Sequence, residues 1–269
     1  MQALFGNLEN LTLPMVIMWC IGGVLIFLAI RYQMEPALLL PMGFGAILVN
    51  LPLSGAVNQV IDGVTEPGII DVLFNATIQN ELLPLLLFIG IGAMIDFGPL
   101  LSNPKMLLFG AAAQFGIFFT LSLACLFTPL FEMLGTAFTI QDAASIGIIG
   151  AADGPTSIFV ANYFDTPFKG AIFVAAYSYM ALVPIIQPPV IRAVTTKKER
   201  MIRMKYNPKG VSKTTKILFP IIITIIAGVL APRSVALVGF LMFGNLIREC
   251  GVLGSLSETA QNALANLVT

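Results

Sequence analysis

From Met106 to Phe131 the chain carries no charged side chain, and the same is true from Leu11 to Ile30. About 20 apolar residues suffice for a helix to cross the hydrocarbon core of a bilayer. Lipid offers no water to backbone amides, so such segments must be helices that satisfy their own polar groups. Only 10% of the 269 residues are charged, against about 25% in soluble domains. A surface so poor in charge is suited to lipid. Leu11–Ile30 has no basic residue before it and no small-residue cleavage pattern before Arg31, and reads as a retained span rather than a secretion signal.

Further apolar stretches fall at 37–53, 82–101, 143–163, 170–190, 217–232 and 235–247. The expected fold is an all-α membrane protein, a polytopic helical bundle with broken or re-entrant helices. Loop charges orient it. Residues 54–80 carry Asp62, Glu66 and Asp71 and no cation, whereas 192–216 carries nine basic residues against Glu199 alone. The basic loop is then cytoplasmic and the acidic one external. If 143–163 and 170–190 both crossed, the basic loop would emerge outside. The conflict vanishes if 143–163 enters and returns on the outer side, although Lys169 then also lies outside.

Two echoes suggest an internal repeat. Phe44-Gly45-Ala46-Ile47-Leu48 is matched by Phe243-Gly244-Asn245-Leu246-Ile247, and residues 77–85 match 259–267 at five of nine positions. The first copy opens outward and the second inward, as in transporters built from inverted repeats. The organisation expected is a first transmembrane helix at 11–36, a first repeat at 37–190 with a re-entrant Asp-Gly-Pro hairpin near 143–163, a basic loop at 191–216, and a linking helix with the start of a second repeat at 217–269. The second copy stops at Thr269, so an incomplete inverted repeat and a C-terminally truncated chain are expected.

The sequence has no histidine, which removes imidazole relays and His-ligated metals, and its three cysteines show no CxxC spacing. No transition metal and no nucleic-acid partner is expected. Asp153 is the sharpest candidate for chemistry. A carboxylate at membrane depth costs about 2.5–3.5 kcal/mol on insertion scales, and such residues are usually functional. Gly154 and Pro155 beside it would break the helix and free backbone groups. Thr156 and Ser157 add hydroxyl oxygens of the kind hard cations prefer. The plainer reading makes Asp153 a cap for a helix starting at Pro155. Asn80 recurs in the repeat and is a further candidate ligand, while Glu81 reads as a helix-start acid and Asp96 as an interfacial residue at a helix stop. Tyr177 and Tyr179 lie mid-span and face roughly 200° apart on a helix, so one at most serves a given site; spacing does not choose between them.

Several runs resemble the beta subunit of sodium-translocating, biotin-dependent decarboxylases, the family of the oxaloacetate, methylmalonyl-CoA and glutaconyl-CoA enzymes. They are Gly150-Ala151-Ala152-Asp153-Gly154-Pro155-Thr156-Ser157-Ile158-Phe159, Asn80-Glu81-Leu82-Leu83-Pro84-Leu85-Leu86, the run from Ile89 to Phe97, the run from Ser178 to Pro189, and Met242-Phe243-Gly244-Asn245-Leu246. The resemblance implies a membrane subunit that decarboxylates carboxybiotin and couples this to sodium export with uptake of a proton. It implies Asp153 and Tyr179 as the catalytic pair, with sodium ligands expected from Asp153, Gly154, Thr156, Ser157 and Asn80. It also implies a carboxyltransferase alpha subunit, a biotin carrier domain bearing the carboxybiotin, a small gamma-type membrane subunit, a homo-oligomer, and a multi-pass location in a prokaryotic cell membrane. The family's second sodium element has no match here, and the chain alone is expected not to pump. The rival class is a secondary sodium/proton antiporter or a sodium-coupled carboxylate transporter, which the broken helix and carboxylate fit equally on physical grounds.

Overall fold

The computed structural model describes residues 9–61, 63–133, 135–203 and 210–268. Asp62 of the acidic segment and Lys205 and Lys209 of the basic loop lie outside the described residues. The chain divides into two compact units, Met1–Leu82 and Leu83–Thr269.

In the first unit, α1 (Leu13–Tyr32) packs against α2 (Pro36–Val49). The Trp19 indole donates to the Asn50 carbonyl at 3.2 Å, and the Asn50 amide turns back to the Ala46 carbonyl at 2.8 Å. That backbonding ends α2 at 14 residues, shorter than the stretch 37–53 expected from hydropathy. A two-stranded antiparallel hairpin follows, β1 (Gln59–Ile61) with β2 (Val64–Glu66), inside the acidic segment. Hydropathy gave no hint of it, because its strands are three residues long. Helix α3 (Ile69–Phe74) continues through a wider turn, Asn75–Gln79.

Helix α4 (Leu82–Met94) opens the second unit and is followed by the short α5 (Gly98–Ser102). Then come α6 (Leu107–Leu126), α7 (Thr128–Met133) and α8 (Ile140–Gly147). A tight turn, Ile148–Ala151, separates α8 from α9 (Gly154–Tyr163). The long α10 (Lys169–Val194) bends by 60° between Met180 and Ile185. One turn, α11 (Lys197–Arg200), precedes α12 (Lys213–Leu230), α13 (Val235–Cys250), α14 (Gly254–Thr259) and α15 (Ala265–Val268).

Among the described residues, Leu13–Tyr32, Pro104–Met133 and Lys213–Leu230 are long and apolar enough to cross a membrane, and two bent pairs qualify if each counts as one span. Leu108, Phe109 and Val229 are each 75% exposed. Apolar faces this open do not suit water, and this is an all-α polytopic membrane protein that includes bent helix pairs.

The second unit positions the break in 143–163. Helix α6 lines α8 and the tight turn, with Gly116 against Gly150, where an added Cβ on either would crowd the other's carbonyl. Ala124, Phe138 and Ala143 form a small core there, and Phe131 stacks on Phe138 at 4.5 Å between ring centres. Helix α9 returns along α10.

Candidate functional site: a carboxylate at a helix break

The chain turns at Ala152, whose φ of 55° lies in the left-handed region, and extends through Asp153 before α9 begins. Proline at the second helical position and a carboxylate cap suit a start here. Asp153 Oδ1 accepts the Thr156 amide at 3.3 Å, and Oδ2 accepts the Thr156 hydroxyl at 2.5 Å. The fully buried Ser157 donates its hydroxyl to the Asp153 carbonyl at 2.8 Å. Four of the expected residues, Asp153, Gly154, Thr156 and Ser157, are thus brought together by one turn. The turn places the Asp153 carboxylate, the Thr156 and Ser157 hydroxyls and the first amides of α9 beside one another.

The partner helix closes one side. The Gly154 amide donates to the Met180 thioether at 3.1 Å. A Cβ on Gly154 would meet Met180 Sδ at 2.8 Å and Tyr177 Cζ at 3.2 Å, so glycine is needed for this approach. Tyr177 therefore faces the break, and Tyr179, 39% exposed, lies on the other side of α10 as helical geometry requires.

Asn80 lies in the first unit, exposed, its carbonyl accepting the Leu82 amide at 3.1 Å and its amide donating to Ala76 at 2.6 Å. It caps α4 beside Glu81, whose φ is 65°.

A second polar cluster gathers where α4 stops. Asn245 is buried on α13 and donates to the Ile95 carbonyl at 2.8 Å, while Arg248 donates to Met94 at 2.7 Å. Asp96 Oδ1 accepts the Gly98 amide at 2.8 Å, and Lys216 stands 3.4 Å from both Asp96 and Glu249. Cationic and amide donors on the last carbonyls of a helix are favourable. This gives Asp96 a structural place at a helix stop.

Asp142 was not singled out from sequence. It is 2% exposed and accepts the Thr139 amide at 2.8 Å and the Thr139 hydroxyl at 2.7 Å. The pattern Thr139-x-x-Asp142 ahead of an apolar run is a capping signature that could have flagged it.

The geometry defines a membrane protein with a carboxylate set in a broken helix. Residues 14–269 match the family described as the Na+-transporting oxaloacetate decarboxylase beta subunit, and the chain belongs to that family. It is 46% identical over 278 residues to the methylmalonyl-CoA decarboxylase subunit beta of Propionigenium modestum, covering 97% of this chain and 68% of the relative. It is 47% identical over 253 residues to the glutaconyl-CoA decarboxylase subunit beta of Acidaminococcus fermentans, covering 94% and 63%. The oxaloacetate decarboxylase beta chain 2 of Salmonella typhi is 41% identical over 311 residues, covering 98% and 71%. The chain thus spans about two thirds of the length of these relatives.

Proposed function

We propose that the chain serves as the membrane subunit of a sodium-pumping decarboxylase, and that Asp153 exchanges a sodium ion for a proton. The carrying observation is the break itself, where the Asp153 carboxylate and the Thr156 hydroxyl share a contact at 2.5 Å beside the buried Ser157. Hard cations take oxygen ligands, and these groups supply them.

In this reading a partner biotin carrier delivers carboxybiotin, loaded by a carboxyltransferase alpha subunit. The bond between the ureido nitrogen and the carboxylate breaks, carbon dioxide leaves, and the nitrogen takes a proton. Tyr179, open rather than packed, is the proposed donor of that proton. Asp153 ionised holds sodium with Thr156 and Ser157 oxygens, and the Gly154 backbone completes the proposed ligand set. Protonation of Asp153 removes the charge and releases the ion outward. The break opens to the outer face, the basic loop 192–216 is cytoplasmic, and the membrane is the cell membrane of a prokaryote. A gamma-type subunit and further copies of the chain complete the assembly.

The test is Asp153→Asn in the complete decarboxylase complex that contains this chain, reconstituted into liposomes. Sodium uptake and sodium-dependent decarboxylation of carboxybiotin are both expected to disappear. Retention of both would remove Asp153 from the mechanism.

A further inference from the structure

Gly154 contributes the first amide of α9, one of the donors that a helix leaves without an internal partner. Its acceptor is the Met180 thioether at 3.1 Å, a weak acceptor by chemistry. Tyr177, one turn earlier on α10, lays its ring on Gly154, with Cζ and Cε1 at 3.2 and 3.3 Å from where a Cβ would stand. Two side chains of one helix therefore grip the Asp153–Gly154 step from the side opposite its own turn. Met180 is also the last residue before the bend in α10.

We propose that Tyr177 and Met180 are positioning residues that hold the Asp153–Gly154 step in its cation-binding geometry, Tyr177 by covering Gly154 and Met180 by accepting its amide. This rests on Asp153 being the sodium site. A strong acceptor would lock the amide. A thioether holds it lightly, so the step can relax when a proton replaces the cation on Asp153, and α10 senses whether the site is filled. Loss of either grip lets the step relax and lowers sodium affinity before it lowers turnover.

The test measures the half-saturating sodium concentration and the maximal rate of the reconstituted complex. Met180→Leu keeps the volume and removes the acceptor, and Tyr177→Leu removes the ring. Each is expected to raise half-saturating sodium on the order of five- to tenfold, a larger change than that in maximal rate. Met180→Gln, which returns a stronger acceptor of similar reach, is expected to recover at least half of the lost sodium affinity and, by locking the amide, to lower the maximal rate. Sodium-dependent protection against thermal unfolding gives a readout free of turnover, and co-elution of the subunits checks assembly. Half-saturating sodium within twofold of the parent in both Met180→Leu and Tyr177→Leu would overturn the proposal, as would equal failure of Met180→Leu and Met180→Gln. Asp153→Asn, run alongside, separates the two levels. If it keeps sodium dependence, the site assignment fails; if it loses it while the two leucine variants behave as the parent, only the positioning roles fail.

Discussion

The Thr166 hydroxyl donates to Asp142 Oδ1 at 2.5 Å, across 24 residues of chain. A straight helix would hold residues so spaced about 36 Å apart. Their contact means that the segment holding Asp153 leaves and returns to one level, with the break at its tip. Both partners are 2% exposed. Thr166→Val deprives a buried carboxylate of one donor, and a loss of about 1–3 kcal/mol is expected. The measurement is the thermal midpoint of the purified protein in detergent. An unchanged midpoint would mean that the base of the hairpin is held by Phe131, Phe138 and Phe168 packing instead.

The crossing of α4 and α13 is set by two glycines. A Cβ on Gly92 would collide with the Leu241 carbonyl, and one on Gly244 with the Ile89 carbonyl. Gly92→Ala must therefore push the helices apart, which stretches the Asn245–Ile95 hydrogen bond. Overpacking of this kind costs about 1–3 kcal/mol. The same thermal assay should show the loss, and Gly110→Ala, where nothing lies within 4 Å, should not.

Asp96 gives a dependence on pH. The Gly98 amide, with Lys216 nearby, holds its carboxyl below the ordinary value of 3.8. A depressed folded value means that the stabilisation is full above the ordinary value and is lost as pH falls through the folded one. The effect should thus be confined to below about pH 4. Asp96 is 43% exposed, so salt should weaken the contribution of Lys216. Comparing acid unfolding of the parent with Asp96→Asn checks this. The two curves should converge in strong acid and separate as pH rises.

The break was legible because its causes are local. Gly154 and Pro155 cannot continue a helix, and Asp153 stands where a cap needs it. The stripe of apolar residues likewise announced the helices, because lipid imposes one solution on the backbone. The choice of Met180 as a neighbour of Gly154 depends on the register between α9 and α10, which no spacing along either helix encodes. Which tyrosine faces the break was open for the same reason. The Asp142–Thr166 contact needs the return of the chain before it exists. The hairpin at Gln59–Glu66 escaped notice because three-residue strands are too short to show alternation.

Thr156 separates capping from ligation. Its amide and hydroxyl both serve Asp153, the hydroxyl at 2.5 Å. Thr156→Val keeps the shape and the amide contact but removes the oxygen. If that hydroxyl only braces the capping carboxylate of Asp153, the variant would lose about 1 kcal/mol of stability with sodium affinity unchanged. If it also ligates, half-saturating sodium should rise about tenfold, equivalent to about 1.4 kcal/mol. Thr156→Ser should restore affinity, because it returns the hydroxyl without the methyl. Sodium titrations of the decarboxylation rate in the reconstituted complex decide between these outcomes. A valine variant with parental affinity would take Thr156 out of the ligand set and leave Asp153 to bind the ion with Ser157 and backbone oxygens.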